Sequence, residues 1–422
     1  MPEAAALPQC RFCKAELSQT FVDLGLSPPC ESFVHPDKAD QGEMYYPLHA
    51  RVCRECFLVQ LDDQVAADDI FMGDYAYYSS FSDSWLKHAA RFCEVASERL
   101  GLGESSFVVE VASNDGYLLR NFVDAGVPCL GIEPSANVAE AALKVGVQSK
   151  VVFFGEQTAK DLVAERGHAD LIVGNNVLAH VPDINDFVAG LATLVAETGA
   201  ISLEFPHLER LMAEVQYDTI YHEHFSYLSF RTVQRIFEAN GLEAFDVEQL
   251  PSHGGSLRVW GQRKGGPRPI SDQVTSLADH ELAAGFEDPQ HYADFTRAVE
   301  RSKRELLKFL IQAKERGESV VAYGAPGKGN TLLNYCGIRT DLIAFAVDRN
   351  PHKHGRFTPG TRIPIHPPEA LDEARPDWIL ILPWNLSKEI TAQLAHAREW
   401  GARFVVPIPG ARVIEPEGAL SR

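Results

Sequence analysis

The chain has 422 residues, of which 45% are hydrophobic and 23% charged, and its formal net charge is −19. This length is too great for one ordinary core, so the composition indicates a globular protein of two to three domains. The acidic balance excludes broad nucleic-acid binding, which needs a basic face.

The amino-terminal stretch MPEAAALPQC lacks the basic and apolar regions of a signal peptide. No apolar run approaches the length of a transmembrane helix, and the best candidate, Trp378–Leu382, is predicted to be a buried strand. We therefore expect a cytoplasmic protein without membrane contact. The sequence indicates no oligomeric state, and a monomer is compatible with it.

Two CxxC pairs lie near the start of the chain, Cys10 with Cys13 and Cys53 with Cys56. Four thiolates are the ligand set of tetrahedral structural zinc, and a small module gains stability from such a metal. Disulfides are the alternative, but a cytoplasmic chain keeps its thiols reduced. The pairs therefore predict a closed, structural zinc site in a module of residues 1–75.

An aromatic segment, Asp74–Phe81, follows this module. Its Tyr77 and Tyr78 are candidates to close over a ligand, and packing between domains is the alternative. Apolar residues then recur at helical spacing over Ser82–Leu100, which predicts an amphipathic helix.

The run FVVEVASNDG from Phe107 predicts a strand that enters a tight turn, and the next strand ends on Glu133, 23 residues after Glu110. That is the layout of a nucleotide-binding β-α-β unit, with a carboxylate for ribose hydroxyls. Gly116 is the only glycine in the turn, so pyrophosphate binding is disfavoured. The pattern favours a ligand with a ribose and no phosphate, such as S-adenosylmethionine.

A further strand, Ala169–Val173, leads to Asn176 and His180. The pattern D-x-I-x-x-x-x-V-L-x-H is typical of the fourth strand of class I methyltransferases, where the following loop faces the methyl group. A plain helix-start histidine is the alternative for His180. Strand and helix patterns alternate as far as Gly261, which predicts a doubly wound sheet in a domain of residues 76–265.

The stretch Ile220–Tyr227 places a phenol, a carboxylate and two imidazoles at consecutive positions, Tyr221 to His224. His and Glu can exchange a proton near neutral pH, so this cluster is a candidate for acid–base chemistry. A solvated loop is the alternative. The H-E-H spacing differs from H-E-x-x-H, which disfavours a metal.

Residues 266–422 predict a helical linker and a second Rossmann-like unit. Strand Ser319–Tyr323 enters a glycine loop, Gly324–Gly329, before a helix Asn330–Cys336, and the next strand ends on Asp348. The glycine order is G-x-x-G-x-G, and no Ser or Thr follows Lys328 directly, so neither a dinucleotide loop nor a P-loop is matched. A zinc-containing NAD-dependent oxidoreductase is therefore the weaker alternative function.

Residues 323–366 are locally basic, with six Lys or Arg against two Asp. A basic segment in an acidic chain suggests a bound anion, and a solvated face is the alternative.

Taken together, six motifs resemble the nucleotide-sugar C-methyltransferases, among them the TDP-4-keto-deoxysugar C-3′-methyltransferase of tetronitrose biosynthesis. They are the two CxxC pairs, Glu110–Gly116, Asn176–His180, Tyr221–Tyr227, His253–Arg258 and Gly324–Thr331. The resemblance covers nearly the whole chain. One departure is Gly327, where the family pattern has Ala.

The resemblance implies a class I methyltransferase fold, S-adenosylmethionine as methyl donor and a TDP-4-keto sugar as acceptor, in deoxysugar or antibiotic biosynthesis. Methylation at C-5′ and a different nucleotide sugar are the alternatives. The residues that it assigns to the donor site are Glu110, Asn114, Gly116 and Glu133, and Tyr77 is the further donor-site candidate.

Carbon methylation beside a ketone needs a base that ionises the C–H bond. The resemblance assigns this chemistry to Tyr221, Glu223 and His224, with His224 as the base. Candidate acceptor-binding residues are Asn176 and His180 for the sugar, and Lys328 and Asn330 for the nucleotide diphosphate.

Overall fold

The computed structural model describes residues 7–62 and 78–415, so Tyr77 lies outside the described residues. The chain divides into two units, each assembled from separate stretches. Unit 1 comprises residues 1–19, 52–208 and 223–289, and unit 2 comprises residues 20–51, 209–222 and 290–422. The predicted domains 1–75, 76–265 and 266–422 are contiguous and stay a prediction.

The strands are β1 (Gln19–Ser27), β2 (Tyr46–Val52), β3 (Val59–Leu61), β4 (Val108–Val111), β5 (Cys129–Ile132), β6 (Ser149–Lys150), β7 (Ala169–Asn175), β8 (Val195–Pro206), β9 (Ser226–Tyr227), β10 (Leu242–Leu250), β11 (Ser256–Arg263), β12 (Val320–Tyr323), β13 (Ala346–Val347), β14 (Ile365–His366), β15 (Trp378–Ile381), β16 (Arg403–Val406) and β17 (Arg412–Ile414). The helices are α1 (Asp83–Leu100), α2 (Leu119–Asp124), α3 (Ala136–Lys144), α4 (Glu156–Arg166), α5 (Ile184–Leu194), α6 (Leu208–Ala213), α7 (Phe230–Ala239), α8 (Asp272–Ala284), α9 (Pro289–Ala293), α10 (Phe295–Glu315), α11 (Gly327–Cys336), α12 (Ala370–Ala374) and α13 (Ser387–Gln393).

Seven strands of unit 1 form one sheet in the order β10-β11-β8-β7-β4-β5-β6. The strands from β8 to β6 are parallel, whereas β11 runs antiparallel to both β8 and β10. Helices cover both faces, with Phe92 and Phe122 in the core on one face and Phe187 and Leu191 in the core on the other. The predicted doubly wound sheet is confirmed.

Helix α1 matches its predicted range. The hydroxyl of Ser82 accepts a hydrogen bond from the Trp85 amide at 3.3 Å, which caps the first turn. At the other end Gly101 adopts φ 66°, the left-handed conformation that commonly ends a helix.

Strand β8 continues through Gly199. A Cβ at Gly199 would lie 2.8 Å from the Ala169 carbonyl oxygen, so the glycine permits close approach of the backbone of β7.

In unit 2, six strands form the sheet β14-β13-β12-β15-β16-β17, which is parallel except for β17. The glycine loop after β12 is shorter than predicted, because α11 already begins at Gly327. Pro326 precedes this helix with extended backbone. Proline has no N–H group, and none is needed for intrahelical hydrogen bonds at the start of a helix. No helix in the described ranges has the length and apolarity needed to span a membrane.

Helix α7 begins at a buried carboxylate. Glu281 of α8 is fully buried and accepts hydrogen bonds from the amides of Phe230 and Arg231 at 2.7 and 2.8 Å. The Nε2 atom of His207 is a third partner, 2.7 Å from the same carboxylate. A negative group at a helix start satisfies amides that lack intrahelical partners.

We expect Glu281→Ala to lower the free energy of unfolding by about 3 kcal/mol, because it strands several buried polar groups. Urea unfolding measures this loss. The exposed Asp279→Ala on the same helix is the control and should change the free energy by less than about 0.5 kcal/mol. Equal stability of the two variants would contradict the capping role.

Candidate functional site

The loop after β4 is the predicted donor loop, and its backbone is strained. Ala112, Asn114 and Gly116 adopt positive φ angles of 56°, 49° and 77°. A Cβ at Gly116 would also lie 3.0 Å from Val147 Cγ2, so glycine is needed for both conformation and space. Such a turn allows a ligand to approach the backbone closely.

The carboxylate of Glu133 supports this loop from the end of β5. One oxygen accepts a hydrogen bond from the Asn114 amide at 2.9 Å, and the other accepts one from the Ser135 amide at 2.8 Å. Burial raises the pKa of Glu133, and these two backbone hydrogen bonds oppose the shift. The predicted ribose-binding acid therefore lies beside the donor loop and also holds its shape.

Glu110 lies beneath the same loop and is fully buried. Burial raises its pKa well above the usual range, the Tyr117 hydroxyl opposes the shift, and the charges of Asp115 and Glu133 add to it. The role of Glu110 at the donor site stays a prediction.

The segment after the undescribed stretch packs on the donor loop. Asn114 Oδ1 accepts a hydrogen bond from the Ser79 amide at 2.9 Å, and Asp115 Oδ2 accepts one from the Ser80 amide at 3.1 Å. The Tyr78 hydroxyl accepts a hydrogen bond from Asn137 at 3.1 Å. The structure thus brings Tyr78 to the donor side of unit 1, whereas the role predicted for the neighbouring tyrosine stays a prediction.

His180 and His224 meet in unit 1. Their ring centroids are 4.5 Å apart with planes at 73°, and Tyr227 lies edge-on to His224 at 6.1 Å. Burial lowers the pKa of His180 to about 4, and a hydrogen bond with the Glu223 main chain opposes this shift. His180 is therefore neutral at physiological pH, next to a second buried imidazole.

The cluster Tyr221–His224 is divided by the two units, since the chain passes from unit 2 to unit 1 between His222 and Glu223. His222 is buried in unit 2, where its Nε2 lies 3.2 Å from the Pro47 carbonyl and its ring is edge-on to Tyr46. Burial lowers the pKa of His222. His222 thus has a packing role, whereas His224 lies with His180.

Asn176 follows β7 directly and adopts a positive φ of 54°. Its amide donates a hydrogen bond to the Glu204 carbonyl at 2.7 Å, which fixes the loop at the carboxyl end of the neighbouring strand. Ligands of open α/β sheets bind outside these carboxyl ends. His180, a few residues further on, belongs to the same edge.

Sequence reasoning did not single out a network around Glu204. Its carboxylate, fully buried, contacts His88 Nε2 at 2.8 Å, Arg258 Nη2 at 2.8 Å and Ser252 Oγ at 2.7 Å. His253, with a positive φ of 54°, lies edge-on to Trp85 at 4.9 Å. Only the motif His253–Arg258 signalled this network in the sequence.

Lys328 and Asn330 have partners within unit 2. The Lys328 ammonium donates to Asn385 Oδ1 and lies 4.4 Å from the centre of the Trp384 ring. Burial lowers its pKa to about 8, and the charge of Asp218 opposes the shift. Asn330 is buried and donates to the Cys30 carbonyl at 2.7 Å. Their role in nucleotide binding stays a prediction.

The glycine loop of unit 2 lies against the segment Cys30–Glu31. A Cβ at Gly327 would lie 2.8 Å from Glu31 Oε1 and 2.9 Å from Cys30 Sγ, which explains the departure from Ala at this position. Asp348 accepts hydrogen bonds from the Ala325 amide at 2.7 Å and the Asn350 amide at 2.8 Å. It thus repeats the contacts of Glu133 with its own loop.

The four predicted zinc ligands come together in unit 1. The Sγ atoms of Cys10, Cys13, Cys53 and Cys56 all lie within 4.8 Å of one another, and no ion is present. In each pair an amide donates to the first cysteine's carbonyl at 3.0 Å, and that amide belongs to a residue with positive φ, Lys14 or Phe57. Four thiolates in two such turns fit a tetrahedral zinc ion.

This cysteine cluster shares a hydrophobic core with the large sheet of unit 1. Arg11, between the first two cysteines, donates to the Pro182 carbonyl at 2.7 Å and to the Leu61 carbonyl at 2.8 Å. Asn185 donates in return to the Phe12 carbonyl at 2.9 Å. The metal-binding turns are therefore tied to β3 and to the start of α5 as well as to the core.

Three family models match the chain. They describe a zinc binding domain over residues 10–71, a methyltransferase domain over residues 85–247 and a C-methyltransferase C-terminal domain over residues 251–409. These ranges cover most of the chain in the order predicted.

The chain is also similar to individual proteins. The chain is 33% identical over 414 residues to C-methyltransferase NovU of Streptomyces niveus, which covers 98% of each chain. It is 25% identical over 92 residues to a ubiquinone biosynthesis O-methyltransferase of Rhodopseudomonas palustris, covering 22% of this chain and 36% of that one. A solved S-adenosylmethionine-dependent methyltransferase of Anabaena variabilis is 13% identical with a TM-score of 0.37, and the match covers 49% of this chain and 100% of that one.

We expect Cys53→Ser to lower the zinc content well below one ion per chain and to lower the melting temperature. The reason is that the ligand also belongs to the core of unit 1. Metal analysis and thermal melts measure the two effects. Cys129→Ser, outside the cluster, should keep its zinc. Full zinc content in Cys53→Ser would contradict four-thiolate ligation.

Glu133→Gln should weaken S-adenosylhomocysteine binding at least tenfold, because an amide cannot accept both loop hydrogen bonds that the carboxylate accepts. Isothermal titration calorimetry measures the dissociation constant. The exposed Glu140→Gln on α3 is the matched control. An affinity of Glu133→Gln within twofold of the wild type would refute the donor-loop assignment.

Proposed function

Since this chain belongs to the C-methyltransferases, we propose that its acceptor is a TDP-4-keto-deoxysugar, which it methylates at C-3′. Its methyl donor is S-adenosylmethionine, and its four-cysteine cluster is a structural zinc site. The observation that carries the proposal is the contact between His180 and His224. Their ring centroids are 4.5 Å apart, in the unit that holds the donor loop. Carbon methylation needs a base at such a place.

The bound donor supplies an electrophilic methyl group on a sulfonium. The residues proposed to hold it are those of the donor loop, Asn114 and Gly116, with Glu133 for the ribose hydroxyls. The buried acid Glu110 supports the loop from below. Alignment of methyl group and acceptor carbon is a positioning task that a rigid loop performs well.

His224 is the proposed base. Its imidazole takes the C-3′ proton, and the 4-keto group accepts the electron pair as an enolate oxygen. Burial keeps His180 neutral at physiological pH, so it does not compete as a cation. Its one N–H is engaged with the Glu223 main chain, and its other ring nitrogen is proposed to accept a hydrogen bond from a hydroxyl group of the sugar. Tyr221 and Glu223 flank the base in sequence and are proposed to orient it and the sugar.

Asn176 is proposed to bind the sugar from the carboxyl end of β7. Its position is fixed by its positive φ angle and by the hydrogen bond that its backbone amide donates to the Glu204 carbonyl. Lys328 and Asn330 are proposed to contact the nucleotide diphosphate, in the locally basic segment 323–366. Each would exchange its present partner, Asn385 or the Cys30 carbonyl, for the ligand.

The acceptor is tested by incubating the enzyme and S-adenosylmethionine with a panel of 4-keto nucleotide sugars. Mass spectrometry should show a gain of one methyl group on a TDP-4-keto-deoxysugar, and NMR should place it at C-3′. Methylation at C-5′, or of a sugar on another nucleotide only, would overturn the acceptor assignment. Thermal melts should shift with S-adenosylhomocysteine and not with NAD.

We expect His224→Asn to lower kcat by about 10²- to 10⁴-fold, the usual contribution of a general base. Exchange of the C-3′ proton for deuterium, followed by NMR without methyl donor, should slow in parallel. The exposed His168→Gln is the matched control and should exchange and methylate at the wild-type rate. Wild-type exchange in His224→Asn would show that another group is the base.

A further inference from the structure

His88 of α1 has a fixed orientation in unit 1. Its Nε2 lies 2.8 Å from Glu204 Oε2, and its ring stacks on Trp85 with centroids 4.8 Å apart and planes 15° apart. The side chain is nonetheless 24% exposed. An imidazole held from two sides and still accessible is prepared for contact with a ligand.

The proton of His88 can be assigned from its partner. Burial raises the pKa of Glu204, but the hydrogen bond from His88 and the charge of Arg258 outweigh it, and the pKa is lowered. An ionised carboxylate only accepts hydrogen bonds, so Nε2 of His88 carries the proton. Arg258 Nη2, 3.0 Å from Nε2, donates to the same carboxylate oxygen. In the neutral ring Nδ1 is then a hydrogen-bond acceptor.

Nδ1 of His88 is available for such a contact. Among residues 7–62 and 78–415, the hydrogen bonds of this ring involve Nε2 only. The partly exposed edge of the ring therefore presents a single acceptor atom.

The location of His88 is the edge of the sheet where the acceptor is proposed to bind. The carbonyl of Glu204 accepts the amide of Asn176 at 2.7 Å, so the two assemblies are joined directly. On the other side Trp85 stacks on Tyr117, whose hydroxyl accepts a hydrogen bond from Asn175 at 3.3 Å. His88 thus lies at the carboxyl ends of β7 and β8, where ligands of such sheets bind.

We propose that His88 is an acceptor-binding residue that accepts, at Nδ1, a hydrogen bond from a hydroxyl group of the sugar. This inference rests on the proposed function and adds a contact to the acceptor site. Glu133 serves the donor's ribose hydroxyls, so the acceptor is the source of the hydroxyl at His88. Glu204, Arg258 and Ser252 are positioning residues that act through this ring.

The contact makes His88 a determinant of specificity. The acceptor nitrogen Nδ1 binds a hydroxyl group, which supplies the proton of the hydrogen bond. It repels a keto oxygen at the same position, because neither the nitrogen nor the keto oxygen carries a proton. A polar site built for a hydroxyl also discriminates against the sugar that lacks it. Among otherwise equal 4-keto sugars, the enzyme should prefer those that carry this hydroxyl.

Two substitutions at one position separate binding from packing. In His88→Gln the amide nitrogen replaces Nε2 and still donates to Glu204, but no acceptor remains at the position of Nδ1. In His88→Asn the side-chain oxygen occupies the position of Nδ1, but the side chain is too short to reach Glu204. The exposed His168→Gln is again the matched control.

We expect His88→Gln to lower kcat/KM for the TDP-4-keto sugar about fivefold, chiefly through KM, since one neutral hydrogen bond is lost. Its affinity for S-adenosylhomocysteine should stay within twofold of the wild type. His88→Asn should retain more of the acceptor affinity than His88→Gln. On a deoxy sugar without the bound hydroxyl, His88→Gln and the wild type should have equal kcat/KM.

A wild-type KM in His88→Gln would overturn the proposed contact. A higher acceptor affinity in His88→Gln than in His88→Asn would overturn it as well, because that order is expected if His88 serves only to pack against Glu204. Loss of S-adenosylhomocysteine affinity in His88→Gln would assign the hydroxyl to the donor instead. If the wild type methylates no 4-keto nucleotide sugar, the proposed function fails and this inference fails with it. If the wild type methylates such a sugar and His88→Gln does so equally well, only the proposed His88 contact is refuted.

Discussion

The hydrogen bond from the Asn114 amide to the Glu133 carboxylate is the interaction on which the donor side of the molecule depends. It spans the turn in which three residues adopt left-handed backbone, and it holds that turn against β5. Strain of this kind persists only where surrounding contacts over-determine it. From the same turn, Asn114 and Asp115 accept the amides of Ser79 and Ser80, so the contacts of these two serines depend on a turn that one buried acid holds.

Other carboxylates have the same use, and Glu204 and Glu281 among them are buried. Asp348 accepts loop amides in unit 2 as Glu133 does in unit 1, Glu281 accepts the first amides of α7, and Glu204 gathers three side chains. A buried charge is costly unless it is hydrogen-bonded, and the buried acids Glu133, Glu204 and Glu281 each have at least two such partners. Part of the acidic excess of the sequence is therefore internal and structural, rather than a solvated surface.

The sequence predicts those structural features that are formed by residues close together in the chain. The CxxC pairs and the strand and turn ending at Gly116 are local patterns, because a metal knuckle and a tight turn are each formed within a few residues. The network of His88 with Glu204 joins residues 116 positions apart. No spacing in the sequence predicts such a pair, since only the fold brings α1 over the end of β8. The need for glycine at position 199 is not visible in the local sequence either, because it arises from the approach of a different strand.

The composition of unit 2 has a consequence for how the protein is made. Phe21 stacks on Phe295 with ring centroids 4.4 Å apart, and Thr296 donates to the Phe21 carbonyl, 275 positions earlier in the chain. The early segment 20–51 therefore packs on the start of α10. At ribosomal speeds of about 5–20 residues per second, that partner emerges on the order of tens of seconds later. During synthesis the two cysteine pairs therefore bracket a segment whose packing partner in α10 has not yet been made.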